Sequence, residues 1–370
     1  MGSRPCLLSS RLWLRRYDAD AWVVVDDLVE GVAMGGTRMT AAVTEAELAA
    51  LARAMTHKLA LVDLPIGGAK AGIRPRGPVT DRAGLMRAFG QAAAPLLHGG
   101  VYLGCDLGTG YADRDRWLAA AGYDLARQPG AAKLRIDWAG FWRGVVDVTG
   151  LGVATAVLAG LRAAGVTGPQ RVTVQGFGTV GRSVAQHLAG HGHRVVAVAD
   201  VRGTVADPAG LPVAALVAAT GADGTVDRDA LPASVRRCPG ERAWLDVDAD
   251  VLVLAASAGA VDAATAGSVR AWLVVEGGNL SCTEAARRVL RGAGRTVLPD
   301  VVVNVGAAAV VGCVLTGVAP ADLPLAELTA WLREWVSAKV TRNCELVLEL
   351  AAAGSADPVG ELLAARAVAR

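Results

Sequence analysis

Apolar and polar positions along this chain follow two different rhythms. AWVVVDD (21–27) is a continuous β-rich run that ends in a glycine-bearing turn, GVAMGGTRM (31–39). TEAELAALARAMTHKLA follows, with Leu48, Leu51, Met55 and Leu59 at helical spacing behind a Thr44/Glu47 capping-box pattern. This predicts a helix with Lys58 near its end. Pro65, Gly67 and Gly68 break the pattern and place Lys70 on a loop or at the start of the next strand. VYLGCDLGTG (101–110) predicts a short strand running into a glycine loop, with Asp106 at the junction.

From about residue 149 the pattern changes. TGLGVATAVLAGLRAAG predicts a helix, and RVTVQGFGTVGRSVAQHLAGHGHRVVAVAD predicts strand, glycine turn, helix and strand. Further apolar strands are expected at DADVLVLAA (248–256), AWLVVEGG (271–278) and RTVLPDVVVN (295–304). Such alternation implies a parallel sheet covered by helices on both faces. The expected fold is α/β with two domains. Residues 1–148 form an α/β substrate domain, 149–325 a doubly wound dinucleotide domain, and 326–370 a helical tail returning to the first.

Composition narrows the class. The length allows two cores, and 53% apolar content fits a globular chain rather than a disordered one. A net charge of +2 with scattered arginines gives no footprint for nucleic acid. No uninterrupted apolar run approaches the roughly 18 residues of a membrane span. The six cysteines show neither paired nor metal-ligand spacing and read as reduced thiols of a cytoplasmic protein. The first residues show no signal peptide, and Cys6 stands where a myristoylation pattern needs Ser or Thr.

The candidate chemistry lies in two places. Gly176, Gly178 and Gly181 form G-x-G-x-x-G directly after one strand and opening the next helix, the context that makes this pattern informative. Thr179 and Val180 begin that helix, whose free N–H groups and dipole suit a pyrophosphate. Asp200 ends the following strand 24 residues after Gly176, where a carboxylate accepts the adenosine ribose hydroxyls and favours NAD. Arg202, two residues on, can meet a 2′-phosphate and leaves NADP open. The second place is the pair Lys58 and Lys70. The chain has only four lysines against thirty-three arginines. A desolvated lysine can shed its proton near neutral pH, which arginine does not do.

In this order, GGTRM, MTHKLALVDLPIGGAKAGI, CDLGTG, VQGFGTVG, EGGN and PDVVVN resemble the glutamate/leucine/phenylalanine/valine dehydrogenase family over roughly residues 20–315. The resemblance implies reversible oxidative deamination of an L-amino acid to a 2-oxo acid and ammonia, with NAD or NADP, in a homo-oligomer. It assigns the substrate α-carboxylate to Lys58, the catalytic base to Lys70 and proton transfer at the amino group to Asp106. Asn279 and Asn304 join the cofactor site. Members that use glutamate carry lysine in the turn where this chain has Met34, beside Gly35, and tend to have serine where it has Val311. Both changes remove partners for a side-chain carboxylate, so an apolar substrate is expected. Ala69, Leu254, Gly259 and Ala307 also depart from the family pattern and leave the three catalytic positions intact. Two other readings stay open. One is a lysine–aspartate alcohol dehydrogenase of related two-domain architecture, separable by ammonia dependence; the other is a catalytically silent or specialised-pathway homologue.

Overall fold

A computed structural model describes residues 5–221 and 223–368. The chain divides into two compact units, residues 1–137 with 308–324 and 365–370, and residues 138–307 with 325–364. The boundary expected at 148/149 therefore falls at 137/138. The tail, expected on the first domain, lies mostly with the second unit.

The first unit contains β1 (Leu8–Leu14), β2 (Ala19–Val25), β3 (Ala33–Met39), α1 (Glu45–Leu61), β4 (Gly67–Pro75), α2 (Arg82–His98), β5 (Val101–Cys105) and α3 (Tyr111–Ala120). Its five strands run in the order β1-β2-β4-β3-β5. GVAMGGTRM, expected as a turn, is instead the strand β3. Gly35 lies so close to the Ala69 carbonyl that a methyl there would sit 1.6 Å from the oxygen. The glycines permit close strand packing rather than a reversal of the chain. Lys70 is inside β4, beyond the loop or strand start expected for it. Thr44 caps α1 by accepting from the Glu47 N–H at 3.2 Å, as the sequence predicts.

The second unit begins with α4 (Trp138–Gly144) and α5 (Val148–Ala163). There follow β6 (Arg171–Gln175), α6 (Thr179–Gly190), β7 (Arg194–Asp200), β8 (Gly203–Ala206), α7 (Val213–Ala218), β9 (Arg236–Cys238) and β10 (Val251–Leu254). Then come β11 (Leu273–Glu276), α8 (Glu284–Gly292), β12 (Thr296–Leu298), α9 (Asp300–Val303), α10 (Gly306–Thr316), α11 (Leu325–Ala352) and α12 (Pro358–Val368), of which α10 from residue 308 and the end of α12 group with the first unit. The sheet order is β12-β11-β10-β6-β7-β8-β9. The strands from β12 to β7 are parallel, and β8 and β9 add an antiparallel edge. This is a Rossmann-type doubly wound sheet, as expected, with the order reversing beside β6. RTVLPDVVVN is a strand only as far as Leu298. Pro299 has no N–H for the ladder, and it precedes the helix α9 instead.

The tail folds onto α5 because α11 buries one stripe, Leu328, Leu332, Val336, Val340 and Val347. A methyl on Gly152 of α5 would already touch Val336 and Val340. The segment 138–163 is apolar and long enough by composition to cross a membrane, yet 67% of its most apolar window is buried within the fold.

Candidate active site

Strand register places the first unit's candidate residues on one face. Met34 pairs with Gly68 and Tyr102, Arg38 with Gly72, and Gly36 with Gly104. Because side chains alternate along a strand, Met34, Gly36, Arg38, Gly68, Lys70, Gly72, Tyr102 and Gly104 share a side. Helix α1 covers that side. A methyl on Gly68 would lie 2.1 Å from the Ala52 carbonyl oxygen, and one on Gly72 would lie 2.7 Å from Leu48 Cδ1. The bare backbone lets α1 sit low on the sheet. Lys58, in the last turn of that helix, is 2% exposed, and Lys70, in mid-strand, is 3% exposed.

Asp106 follows β5 directly and is held by local bonds. Its N–H donates to Thr109 Oγ1 at 3.0 Å, and that hydroxyl donates to the Thr37 carbonyl at 2.7 Å. Lys70 Nζ lies 2.7 Å from Asp106 Oδ2, and Arg38 Nε donates to the same oxygen at 3.2 Å. Arg38 also donates to Glu47 of α1, so charges alternate along Glu47, Arg38, Asp106 and Lys70. The Glu47 side chain thus turns to Arg38, outside a full capping box. Burial pushes the Asp106 carboxyl up, but Lys70 and Arg38 outweigh it and hold the group well below the usual carboxylate range. Asp106 is therefore a fixed anion at neutral pH. The structure brings Lys70 and Asp106 together. Arg38 is a participant that sequence reasoning missed; its signal was its two-residue spacing from Gly36 within a buried strand.

Gly36 makes the Asp106 placement possible, since a methyl there would lie 2.9 Å from both Asp106 Cβ and the Cys105 carbonyl oxygen. Gly36→Ala is expected to lower turnover and to destabilise the chain by about 1–3 kcal/mol, the usual cost of overpacking. Urea unfolding with parallel rate measurements tests this, and unchanged stability and rate would refute the packing argument.

Met34 is buried beside Gly35, with Tyr102 its neighbour on the shared face. Burial pushes the Tyr102 phenol up to about 12 even with Arg114 nearby, so it faces this layer as a neutral hydroxyl. Val311 is half-buried on α10, in the part of that helix grouped with the first unit. A methyl on the next residue, Gly312, would lie 2.5 Å from Leu64 Cδ1. Ala69 is fully buried in β4.

In the second unit the three glycines perform separate tasks. Gly176 turns at φ +92° against the Ala255 backbone. A methyl on Gly181 would lie 2.0 Å from the Gly176 carbonyl oxygen, whereas one on Gly178 meets no protein atom within 4 Å. That open side, next to Thr179 and Val180 at the start of α6, fits a pyrophosphate approaching the backbone. Asn279 and Asn304 follow β11 and α9. The loop carrying Asn279 is pinned by a buried network. Arg287 grips Glu276 at 2.7 and 2.9 Å, Cys282 N–H donates to Glu276, and Leu280 N–H donates to Asp300. Asn304 Nδ2 donates to the Gly277 carbonyl. Leu254 ends β10, Gly259 turns at φ +66° with its N–H on the Leu280 carbonyl, and Ala307 N–H donates to Thr149 Oγ1.

Asp200 ends β7 as expected, but its carboxylate is already engaged. Arg228 donates to both oxygens at 2.6 and 2.9 Å, Arg202 N–H to Oδ1 at 2.7 Å and Val226 N–H to Oδ2 at 2.8 Å. The expected role as ribose acceptor finds no vacant lone pair, because Arg202, Val226 and Arg228 supply the donors.

Comparison with known proteins agrees with this arrangement. Residues 140–317 match the family model described as glutamate/leucine/phenylalanine/valine dehydrogenase, and residues 16–113 match the dimerisation domain of the same group. The chain is 32% identical over 295 residues to glutamate dehydrogenase B of Halobacterium salinarum, covering 78% of this chain and 67% of that protein. It is 33% identical over 324 residues to an NADP(+)-dependent glutamate dehydrogenase of Pyrobaculum calidifontis, covering 85% and 74%. A crystal structure of hetero-hexameric glutamate dehydrogenase from Thermus thermophilus, in a Leu-bound form, aligns with TM-score 0.75 and 29% identity over 97% of this chain and 86% of that one.

Proposed function

Because the chain belongs to the glutamate/leucine/phenylalanine/valine dehydrogenase family, we propose that it oxidatively deaminates an L-amino acid with an apolar side chain. The observation that carries the reading is the 2.7 Å Lys70–Asp106 pair on the face that also bears Met34. A nicotinamide dinucleotide, when bound, supplies the two-electron oxidant for the Cα–H bond. Lys58 offers a buried ammonium to the substrate α-carboxylate. Lys70 takes the proton of the water that adds to the Cα=N carbon. Asp106, held between Lys70 and Arg38, orients Lys70 and relays the proton taken from water to the amine nitrogen as the C–N bond breaks and ammonia leaves. Arg38 and Glu47 keep that carboxylate in place and act through it.

The apolar preference rests on Met34. A substrate side-chain carboxylate beside this thioether would gain no cation from position 34, and burying a carboxylate unpaired is costly. The curated relatives above are named glutamate dehydrogenases; Met34 and Val311 are where this chain departs from the glutamate-using pattern. We also read the chain as a homo-oligomer. Its β1 is a sheet edge with Leu8 and Trp13 exposed, inside the unit that contains the dimerisation match.

The test is reduction of NAD or NADP by the purified protein with alanine, valine, leucine, phenylalanine, tryptophan and glutamate in parallel. Leucine- or phenylalanine-type substrates are expected to exceed glutamate in kcat/KM. Glutamate as the fastest substrate would refute the side-chain assignment, and no turnover of any amino acid would refute the reaction.

A further inference from the structure

The carboxylate at the end of β7 is spent in a way that bears on cofactor choice. A carboxylate offers about four lone-pair sites. In Asp200, whose side chain is 3% exposed, Arg228, Val226 and Arg202 supply four donors to them. The loop segment that delivers two of these residues, 223–228, is held by Gly221 N–H on the Thr225 carbonyl and Gly224 N–H on the Gly221 carbonyl. It abuts the glycine turn, because a methyl on Gly224 would lie 3.1 Å from Gly178 Cα. Arg182, in the first turn of α6, reaches the Gly221 carbonyl at 3.4 Å. Acid, loop and phosphate turn thus form one assembly within the second unit.

A free acid at this position selects NAD by accepting the ribose hydroxyls. Its negative charge also opposes a 2′-phosphate. Neither effect operates when the acceptors are filled and the charge lies against a guanidinium. Burial pushes the Asp200 carboxyl up, but Arg228 and the two N–H groups hold it below its ordinary value, so it stays ionised and paired. Arg202 is exposed on the turn just after it and adds positive charge there.

We propose that Arg228, by capping Asp200, sets the cofactor preference of this chain, and that the site binds NADP at least as tightly as NAD. The inference rests on the dinucleotide site of the function proposed above. Calorimetric titration of the full-length protein with NAD and with NADP tests it without any need for turnover. The wild type is expected to give a Kd for NADP no larger than that for NAD. Arg228→Leu frees the acid and is expected to shift the ratio toward NAD by about tenfold, the scale of one hydrogen bond to a charged group. Asp200→Asn, as an independent variant, is expected to leave the NAD/NADP ratio near the wild-type value. A wild-type preference for NAD of about tenfold or more overturns the proposal. So does an unmoved ratio in folded Arg228→Leu, or a selective loss of NAD binding in Asp200→Asn. Failure to bind either nucleotide removes the site itself and the proposal with it. Nucleotide binding without deamination of any amino acid refutes the substrate reading alone.

Discussion

Lys70→Arg is expected to lower kcat by about 10²–10⁴-fold, the range attributable to a positioned acid–base group. Nucleotide affinity should stay unchanged, because the dinucleotide turn belongs to the other unit. Arginine preserves the positive charge beside Asp106, so simple loss of the ion pair does not explain such a fall. What it lacks is an amine: a guanidinium stays protonated in proteins and cannot act as a base. The position is also tight: Lys70 is 3% exposed and bonded to an oxygen that Arg38 shares. Steady-state rates alongside nucleotide titration separate chemistry from binding. Turnover within about threefold of wild type would refute Lys70 as the proton-transfer group, since the effect sought is at least a hundredfold.

Met34→Lys is expected to reverse side-chain selectivity. A lysine here would offer a cation on the same face as Lys70, in a layer that excludes water. Buried charge pairs across a binding site are worth about 2–5 kcal/mol when one partner is missing, so kcat/KM for glutamate relative to leucine should rise by about a hundredfold or more. The same ammonium facing an apolar substrate stays unpaired, which adds a loss for leucine. Without substrate the buried ammonium also weakens the fold, so a lower melting temperature is expected with the switch. Competition assays with the two amino acids check this, and an unchanged ratio means that position 34 does not meet the substrate side chain.

Much of this was legible before the fold was known, and the reasons differ by element. The strand–turn–helix around Gly176 was readable because its constraints are local: turn, helix start and hydrophobic runs lie within thirty residues. Lys70 and Asp106 were readable from their family motifs, and β4 and β5 do bring them to 2.7 Å. Arg38 was missed, because its two-residue spacing from Gly36 is informative only once that segment is read as a strand rather than a turn. The glycines of GVAMGGTRM misled in the same way: in isolation they signal a turn, and only neighbouring strands reveal close packing. The tail shows another limit. Its apolar stripe announces a helix, but nothing in a stripe specifies which surface it covers, and α5 is its partner. Asp200 is the sharpest case. Its position along β7 was correct, but the groups that occupy it come from residues 202, 226 and 228, and a loop of that kind carries no periodicity to read.

The bare face of the first unit also ties catalysis to folding. Strands carrying Gly36, Gly68, Gly72 and Gly104 lose much backbone entropy and bury little of their own on that side. Such a sheet gains its stability only when α1 docks and covers it. Helix α1 and β4 are neighbours in the chain, so the docking is local and quick to form. Heating that lifts the helix removes Lys58 from its layer and the cover from Lys70 at the same moment. Thermal inactivation and melting of this unit are then one cooperative event, and no partly unfolded form keeps a working proton-transfer pair.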